Sequence, residues 1–599
     1  MTMQSNLPVP DLTATTLSAL DGSAPLGVCV LPSPRPNAAR TVTYPTYIHE
    51  ILQHAGLCYT IVPFAELADA LAGLKILVTV GESTLPDAVA DALIAWVEAG
   101  GCWLTIGGVC GLAEQLGVTP IPPSFGGFGG GIGTLGEGYV NVINDHPVID
   151  HLPLLLHFFE GLPVQVTDAY VIADIHDAHQ RPTQRVAITE KASGNGRTLL
   201  IAVDLPGTVV RMQQGVGITR DGVSAPDGTA PVGDAVLKSG DGGVLDWLLD
   251  RQPVPEVPGL DAYLEPLADL WRDLLLRAIF YLAEQSDTRL PLLWYYPRNL
   301  PGLAHLSHDT DNNVLAQGWR MLEVVGEAGI NSTWCVILPG YDAELINAIT
   351  AAGHELAMHY DSMSDDCPWD ADLFHTQWLA LSAMFNDVKP VSNKNHYLRW
   401  EGDCEFFEWC IAHNIEIDQS KGASKTGEAG FNFGTCHPYF PVDFGGKALN
   451  VLELTTPTQD LIVFAPPAIL TPLLEAVLRY HGILHLLFHP SHIDKPGVAD
   501  AILNAVAAAK AEGLEWWTAA AINRWERSRR QVRWSGYQSA DGKAQVTLQS
   551  NAALADATIL WSLPARASTA ETVNHWGCNF QVAVTDVEAN QPLLVQMKE

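Results

Sequence analysis

Residues 75–106 read KILVTVGESTLPDAVADALIAWVEAGGCWLTI, and this stretch decides the fold class. The runs 75–80 and 102–106 are apolar almost throughout, which is typical of strands that are buried on both faces. Between them, the apolar positions of 86–99 fall at i, i+4, i+7 and i+8 and so share one helical face, and the Gly-Gly pair that follows ends the helix. A buried strand, a helix and a second buried strand in succession predict an α/β protein whose parallel sheet is covered by helices.

The same alternation begins at Leu26 and continues to a helix predicted at 266–285. Further strands are predicted at 27–31 and 197–203. We therefore expect an N-terminal domain at 25–290 with a flavodoxin-like parallel sheet.

Two segments fall outside this pattern. Residues 1–24 are polar and lack periodicity, which is typical of a flexible arm. The glycine-rich segment 125–131 is predicted to be a flexible loop, because no strand leads into it and no helix follows, as a phosphate-binding loop requires.

A second series of β-α units extends over 291–531. Its clearest members are strands predicted at 303–307, 332–338 and 483–488 and a helix at 499–511. About 240 residues of repeated β-α units fit a distorted (β/α) barrel. The helical period is lost after Trp534, so residues 532–599 are predicted to form a small β domain.

Composition limits the function further. The 599 residues carry a formal net charge of −34, which disfavours binding to nucleic acid because phosphate backbones are repelled. We find no run of about 18 uncharged apolar residues, so a membrane span is not expected. The first residues lack the pattern of a secretory signal and the ten cysteines include no C-x-x-C pair, so a cytoplasmic location is the default expectation, with export left open.

Histidine is concentrated in the predicted barrel, where twelve of the 20 histidines lie between His305 and His492. The first cluster, 308–311, directly follows a predicted strand. Asp309 and Asp311 point to the same side of an extended chain, so one carboxylate can bind a metal ion while the other accepts a proton. The loops after the strands build the active site of a βα barrel, and a solvated turn is the alternative interpretation.

Three more clusters bring further imidazoles to predicted strand ends. Residues 353–359 are predicted to lead into a strand that ends near His359, with His354 structural. Residues 393–400 supply His396 and the guanidinium of Arg399. In 485–492, His489 follows a strand, whereas His485 lies within it as either a core residue or a functional one. Two imidazoles, one carboxylate and an open position are what a catalytic Zn²⁺ needs.

In this order and at these separations, the clusters resemble the NodB-homology polysaccharide deacetylases, the family-four carbohydrate esterases. The resemblance covers about 303–517. It implies a distorted (β/α) barrel that removes N- or O-acetyl groups from a carbohydrate with a divalent metal ion. Zn²⁺ is the first expectation, and Co²⁺, Ni²⁺ or Mn²⁺ are alternatives.

The metal ligands are carried over from the resemblance residue by residue. Asp309 matches the catalytic base and Asp311 the metal-ligating aspartate. His359 matches the first metal-ligating histidine, but Met363 occupies the position of the second and cannot replace an imidazole. His396 is then the expected substitute.

The resemblance also implies roles for the remaining motifs. Arg399 or Lys394 would hold the base aspartate, and Asp418 is similar to the fourth motif. His489 matches the histidine that protonates the leaving group, and general acids and bases of this kind typically contribute about 10²- to 10⁴-fold each.

Residues 26–285 resemble the class I glutamine amidotransferase-like domains of ThuA-type proteins and of β-galactosidase trimerisation modules. Cys110 invites comparison with the nucleophile of that superfamily, but Leu112 stands where the motif needs a small residue. A structural cysteine is therefore the preferred interpretation. A noncatalytic role in assembly or glycan contact follows, with a homo-oligomer formed through this domain as one expectation.

Three functions remain in view. The first is a metal-dependent deacetylase acting on an N-acetylated carbohydrate, and the second is an amidohydrolase acting on a small amide. The third is a noncatalytic carbohydrate-binding or scaffolding protein with a degenerate metal site. Trp369, Trp400 and Trp516 could stack on sugar rings, and the core of the fold is the alternative place for them.

Overall fold

The computed structural model describes residues 22–32, 44–122, 135–150, 152, 155–230, 236–363, 368–540, 543–564 and 572–597. Most of the predicted arm and all of the glycine-rich segment 125–131 lie outside these residues. Within the described part, the chain divides into two compact units. One comprises Arg211–Asp269 and Leu300–Arg527, and the other comprises Pro10–Val210, Leu270–Asn299 and Ser528–Glu599 as far as they are described. The three-domain division at 290 and 531 stays a prediction.

The second of these units contains a nine-stranded sheet. In spatial order its strands are Thr60–Ile61, Leu26–Val30, Ile76–Val80, Cys102–Ile106, Gly196–Ile201, Pro182–Ser193, Tyr170–Asp177, Gly138–Val142 and Leu155–Phe158. The first five strands pair in parallel, which confirms the α/β class. The other pairings are antiparallel, so the sheet is mixed rather than purely parallel. The cause is local: a two-residue turn, with Gly194 at φ +58°, joins Pro182–Ser193 to Gly196–Ile201, and only antiparallel strands can be joined so tightly.

Helices cover this sheet as the hydrophobic spacing predicts. The bounds are Ile48–His54, Leu67–Ala70, Asp87–Glu98, Leu205–Gln214 and Leu267–Gln285. Leu93 and Val97, on the apolar face of Asp87–Glu98, pack in one hydrophobic core with Leu77 and Trp103 of the sheet. That core explains why the helix forms where its apolar positions repeat every three to four residues.

The same unit holds three smaller antiparallel sheets. One pairs Val118–Pro120 with Val164–Val166. A second sheet has four strands, in the spatial order Pro291–Leu293, Leu554–Ser562, Cys578–Val587, Thr572–His575. The third has three strands, in the order Val532–Ala540, Lys543–Ser550, Leu593–Gln596. The β character predicted after Trp534 is confirmed. Pro291–Leu293, which the sequence boundaries assigned to the barrel, pairs with Leu554–Ser562 instead.

The other unit is built on a curled sheet in which every strand pairing is parallel. The spatial order is Leu452–Glu453, Ile417–Asp418, Ser392–Asn395, Glu355–Tyr360, Thr333–Val336, Leu303–Asp309, Ile483–Leu487, with Glu515–Trp516 also beside Leu303–Asp309. Within the described residues the two outermost strands are not paired with each other, so the barrel is open on one side. This is the distorted barrel that the repeated β-α units predict.

The helices of this unit are Leu315–Ala328, Ala343–Ala351, Ala371–Met384, Glu405–Ala412, Leu470–Tyr480, Val498–Ala511 and Ala519–Arg529. Two begin where an aspartate caps the first turn: Asp342 accepts a hydrogen bond from the Leu345 amide, and Asp370 accepts one from the Leu373 amide. None of the helices in the described ranges has both the length and the apolar character needed to cross a bilayer. Because the strands are parallel, their carboxyl ends meet at one edge of the barrel.

Candidate metal centre

The aspartate pair lies at that edge. Asp309 is the last residue of the buried strand Leu303–Asp309, and Asp311 is half-buried in the turn that follows. Thr310 fixes this turn, since its hydroxyl accepts a hydrogen bond from the Ile337 amide and donates to the Asn313 side chain, at 3.1 and 3.0 Å. The turn is thereby tied to the end of the neighbouring strand.

Three side chains from different strand ends meet here. The Asp311 Oδ1 atom is 3.3 Å from His359 Nε2 and 3.8 Å from His396 Nε2. His359 lies in Glu355–Tyr360 and His396 directly follows Ser392–Asn395. One ligand atom from each of the three residues lies within 4.8 Å of the others. The structure thus brings together the aspartate and both imidazoles that the sequence proposed as metal ligands.

Hydrogen bonds behind the imidazoles orient both rings. His359 Nδ1 is 2.8 Å from the carbonyl oxygen of Lys394, to which only a protonated Nδ1 can donate. His396 Nδ1 is 2.9 Å from a carboxylate oxygen of Asp361. Both bonds place the proton on Nδ1 and leave the Nε2 lone pair facing Asp311, which is the arrangement found behind metal-bound histidines.

The unpaired atoms fit a divalent cation. Asp311 Oδ1 and His359 Nε2 are both buried, and neither forms a hydrogen bond within the described part of the chain. They lie 3.3 Å apart, but not in the geometry of a hydrogen bond to each other. Ligand atoms about 2.1 Å from a tetrahedral Zn²⁺ are separated by about 3.4 Å. One carboxylate and two imidazoles at this spacing leave the fourth position open, as in a catalytic zinc site.

The charges of the cluster favour a cation as well. Burial opposes ionisation of Asp311, but the contact with His359 and the charges of His489 and His396 outweigh it, and the pKa of the carboxyl lies well below its usual range. Burial also disfavours the charged form of His359, yet Asp309 and Asp311 raise its pKa above the ordinary value. The two carboxylates therefore draw positive charge to this point.

Asp309 contacts the cluster through His359. Its Oδ2 atom is 3.9 Å from His359 Nε2, and its Oδ1 atom is 3.6 Å from the Lys394 ammonium. Lys394 is completely buried and donates a 2.5 Å hydrogen bond to the Ser307 hydroxyl. Arg399, the other candidate for holding Asp309, binds Glu401 through two nitrogens at 2.5 and 3.1 Å.

A series of hydrogen bonds connects Lys394 to buried polar residues inside the barrel. Since Lys394 donates to Ser307, the Ser307 hydroxyl donates to His485 Nε2 at 2.9 Å, and His485 Nδ1 donates to the Thr455 carbonyl at 2.8 Å. Burial pushes the pKa of His485 well below the ordinary value, so the ring is neutral and can accept this bond. His485 is therefore a core residue with both ring nitrogens satisfied.

His489 contacts the cluster through Asp311. Its Nε2 atom is 3.6 Å from Asp311 Oδ2, while Nδ1 forms a short hydrogen bond with the buried carboxylate of Asp460. Asp460 Oδ1 also accepts the His489 amide at 2.8 Å. Burial alone would lower the pKa of His489, but Asp460, with Asp311 and Asp309, raises it to about 9.

Sequence reasoning missed two carboxylates, Asp361 and Asp460. Each lies in a loop and orients an imidazole that is distant in sequence. Asp361 contacts His396, 35 residues away, and Asp460 contacts His489, 29 residues away. No local periodicity marks such positions. The only available signal is that Asp361 follows the strand-end histidine by two residues.

Other candidates lie in structural environments. Asp418 is fully buried and accepts hydrogen bonds from Asn393 and Ser420, each at 2.8 Å, and burial raises its pKa. Trp400 and Trp516 are buried, and Trp369 packs against the ring of Tyr360.

Cys110 in the other unit is a structural thiol. It is buried at φ +58°, with its sulfur 3.7 Å from the Thr79 hydroxyl and 3.8 Å from the Thr105 hydroxyl. Burial raises the pKa of the thiol to about 12, so the thiolate that a nucleophile needs is not populated at neutral pH.

Comparisons with known proteins give partial structural likenesses. No protein-family model matches the chain, and no curated protein matches it. Among solved structures, a protein from Mycobacterium smegmatis assigned as a polysaccharide deacetylase is 17% identical over 39% of this chain and 93% of its own, with a TM-score of 0.31. A peptidoglycan N-acetylglucosamine deacetylase is 14% identical over 38% of this chain and 89% of its own, with a TM-score of 0.27. A β-galactosidase from Bacillus circulans sp. alkalophilus is 13% identical over 31% of this chain and 30% of its own, with a TM-score of 0.24. These values are too low to transfer an activity, so a function must be sought in the site itself.

Proposed function

We propose that the chain is a metal-dependent deacetylase that hydrolyses N- or O-acetyl groups of a carbohydrate. The observation that carries the proposal is the cluster of Asp311, His359 and His396, whose facing atoms Asp311 Oδ1 and His359 Nε2 form no hydrogen bond within the described residues. The Asp309 carboxylate lies 3.9 Å from His359 Nε2 and the His489 imidazole 3.6 Å from Asp311 Oδ2, as candidate base and acid. Hydrolysis of an acyl group needs this combination.

The residues divide the chemistry among them. A divalent ion such as Zn²⁺, when bound, polarises the acyl carbonyl and lowers the pKa of water. Asp309 accepts the proton of the attacking water through a carboxylate oxygen. The Lys394 ammonium, 3.6 Å from Asp309 Oδ1, is the positive charge next to this carboxylate.

His489 donates the proton to the departing amine or alcohol. Its Nε2 atom faces the cluster, and Asp460 holds Nδ1 from behind. With a pKa of about 9, the ring is protonated at neutral pH and can act as an acid. Asp309 and His489 are therefore the base and the acid of the proposed reaction.

Aromatic side chains beside the site favour a sugar ring over a small amide. Tyr397 is 56% exposed, and its ring centroid is 4.9 Å from that of the ligand His396. Phe464 is 42% exposed, with its ring 6.5 Å from that of His489. Exposed aromatic faces next to the reacting groups suit the apolar face of a pyranose.

Acetate release from acetylated chito-oligosaccharides of increasing length tests the proposal. Rates that rise with chain length in Zn²⁺-loaded protein, and that vanish in the Asp309→Asn variant, are the expected result. Equal rates for all lengths would favour a small amide as substrate. Protein that binds no metal ion and releases no acetate would instead be a noncatalytic carbohydrate-binding or scaffolding protein.

A further inference from the structure

A second group of ligand atoms lies directly behind the proposed acid. Asp460, His489 and His492 each offer one atom within 4.8 Å of the other two. The Asp460 amide donates to the Leu487 carbonyl at 2.8 Å, and the His492 amide donates to the His489 carbonyl at 3.0 Å. Backbone bonds thus hold all three side chains in place relative to the strand Ile483–Leu487.

His492 is in close contact with Asp460. Its Nδ1 atom is 3.1 Å from Asp460 Oδ2, yet this buried nitrogen does not have the geometry of a hydrogen bond to any group within the described residues. An imidazole nitrogen and a carboxylate oxygen at this distance match the spacing of two ligands of one metal ion. His489 Nδ1 contacts the same carboxylate oxygen through its short hydrogen bond.

We propose that Asp460, His489 and His492 form a second Zn²⁺ site that inhibits the enzyme when it is filled. Two imidazole nitrogens and one carboxylate oxygen suit Zn²⁺ better than Mg²⁺ or Ca²⁺, which prefer oxygen ligands. To bind, the ion takes the place of the proton on His489 Nδ1, which passes to solvent. The short bond to Asp460 opens at the same time.

The inhibition rests on the proposed role of His489 as the acid. An imidazole with a metal ion on Nδ1 is no longer the doubly protonated ring that gives up a proton readily from Nε2. His489 Nε2 is also only 3.6 Å from Asp311 Oδ2, so ions in the two sites repel each other. The second ion must also displace a proton and open the short bond between His489 and Asp460, so it binds more weakly than the first and acts at excess Zn²⁺.

The second site has a route to solvent. The side chain of His492 is 18% exposed, and the half-exposed ring of Phe464 lies 5.9 Å from it. Asp460 is fully buried, so His492 is the ligand that an incoming ion meets first. Removing His492 should abolish the second site without touching the first.

Equilibrium dialysis against graded Zn²⁺, read out as metal per chain by mass spectrometry, tests the second site. We expect two ions per wild-type chain and one per His492→Ala chain, and inhibition by excess Zn²⁺ should shift to at least about tenfold higher concentration in the variant. Mutation of a residue that only hydrogen-bonds to a metal ligand already lowers metal affinity about 10- to 100-fold. His492→Gln serves as a second variant, and His179→Ala removes an exposed histidine elsewhere as the control.

Comparison of the His396 and His492 variants distinguishes the second Zn²⁺ site from the proposed catalytic metal centre. The His396→Ala variant should keep the weaker ion and lose the tighter one. One ion per chain in wild type and in both His492 variants, with unchanged inhibition, overturns the second site and leaves the proposed function intact. A single ion that His492→Ala loses and His396→Ala keeps would instead overturn the proposed catalytic metal centre.

Discussion

Replacing Asp460 with asparagine removes the carboxylate that keeps His489 protonated. The rise of the His489 pKa from an ordinary 6.5 to about 9 corresponds to roughly 3 kcal/mol, at about 1.4 kcal/mol for each tenfold change in proton affinity. Asparagine keeps the shape and can still accept a hydrogen bond, but it has no charge. Asp311 and Asp309 remain, so we expect the pKa of His489 in the Asp460→Asn variant to fall toward the ordinary value.

The consequence for activity follows from the protonated fraction of the acid. At pH 8, a group with a pKa of 9 is about 90% protonated and one with a pKa of 6.5 about 3%, so kcat/KM should fall by up to about 30-fold. The full profile of acetate release against pH checks this, because its alkaline limb should move to lower pH. Asp494→Asn, which removes a carboxylate that contacts Gln317, is the matched control. An alkaline limb at the same pH in wild type and Asp460→Asn would refute the reasoning.

The same change should alter stability with a definite sign. His489 has a higher pKa in the folded chain than its ordinary value, so its stabilising effect is complete below pH 6.5 and disappears as the pH rises through 9. In metal-free protein, the Asp460→Asn variant should lose up to roughly 3 kcal/mol of unfolding free energy at pH 6. The difference from wild type should shrink above pH 9. Urea denaturation at the two pH values measures it, and an equal loss at both would contradict the ion pair as its cause.

Three further predictions concern the base and the metal ligands. Asp309→Asn should lower turnover by at least about 10²-fold with unchanged metal per chain, as acetate release and metal analysis together will show. Lys394→Met should lower kcat/KM at least about tenfold, because one tenfold step is only about 1.4 kcal/mol and the variant removes the ammonium beside Asp309. Arg399→Gln, whose partner is Glu401, should lower kcat/KM less. Zn²⁺ at about 100 times its Kd should raise the unfolding free energy by about 2.7 kcal/mol, and His396→Ala should remove this gain in thermal denaturation.

Local pattern was sufficient for most of the fold. The helix at Asp87–Glu98 and the strands on either side follow from apolar periodicity and from the glycines that end the helix. Asp342 similarly fixes the start of Ala343–Ala351. Such elements form because the residues that decide them lie within a few positions of each other.

The antiparallel half of the N-terminal sheet was not predictable in the same way. Tyr170–Asp177 and Pro182–Ser193 mix polar and apolar residues, and irregular pairing between them breaks the strict two-residue alternation. Pro291–Leu293 is three residues long and finds its partner in Leu554–Ser562, far along the chain. Neither segment has a local pattern strong enough to reveal its partner.

The candidate site depends on register, which local sequence does not contain. In the pairing of Glu355–Tyr360 with Ser392–Asn395, His359 lies beside Lys394 and Tyr360 beside Asn395. The next pair along is Asp361 with His396, and these two side chains are joined at 2.9 Å. A slip of one residue would turn alternate side chains to the other face and remove His396 from the cluster. The cluster therefore does not need a histidine at position 363 to have a second imidazole. The neighbouring strand, held in this register, places His396 beside Asp311 and His359.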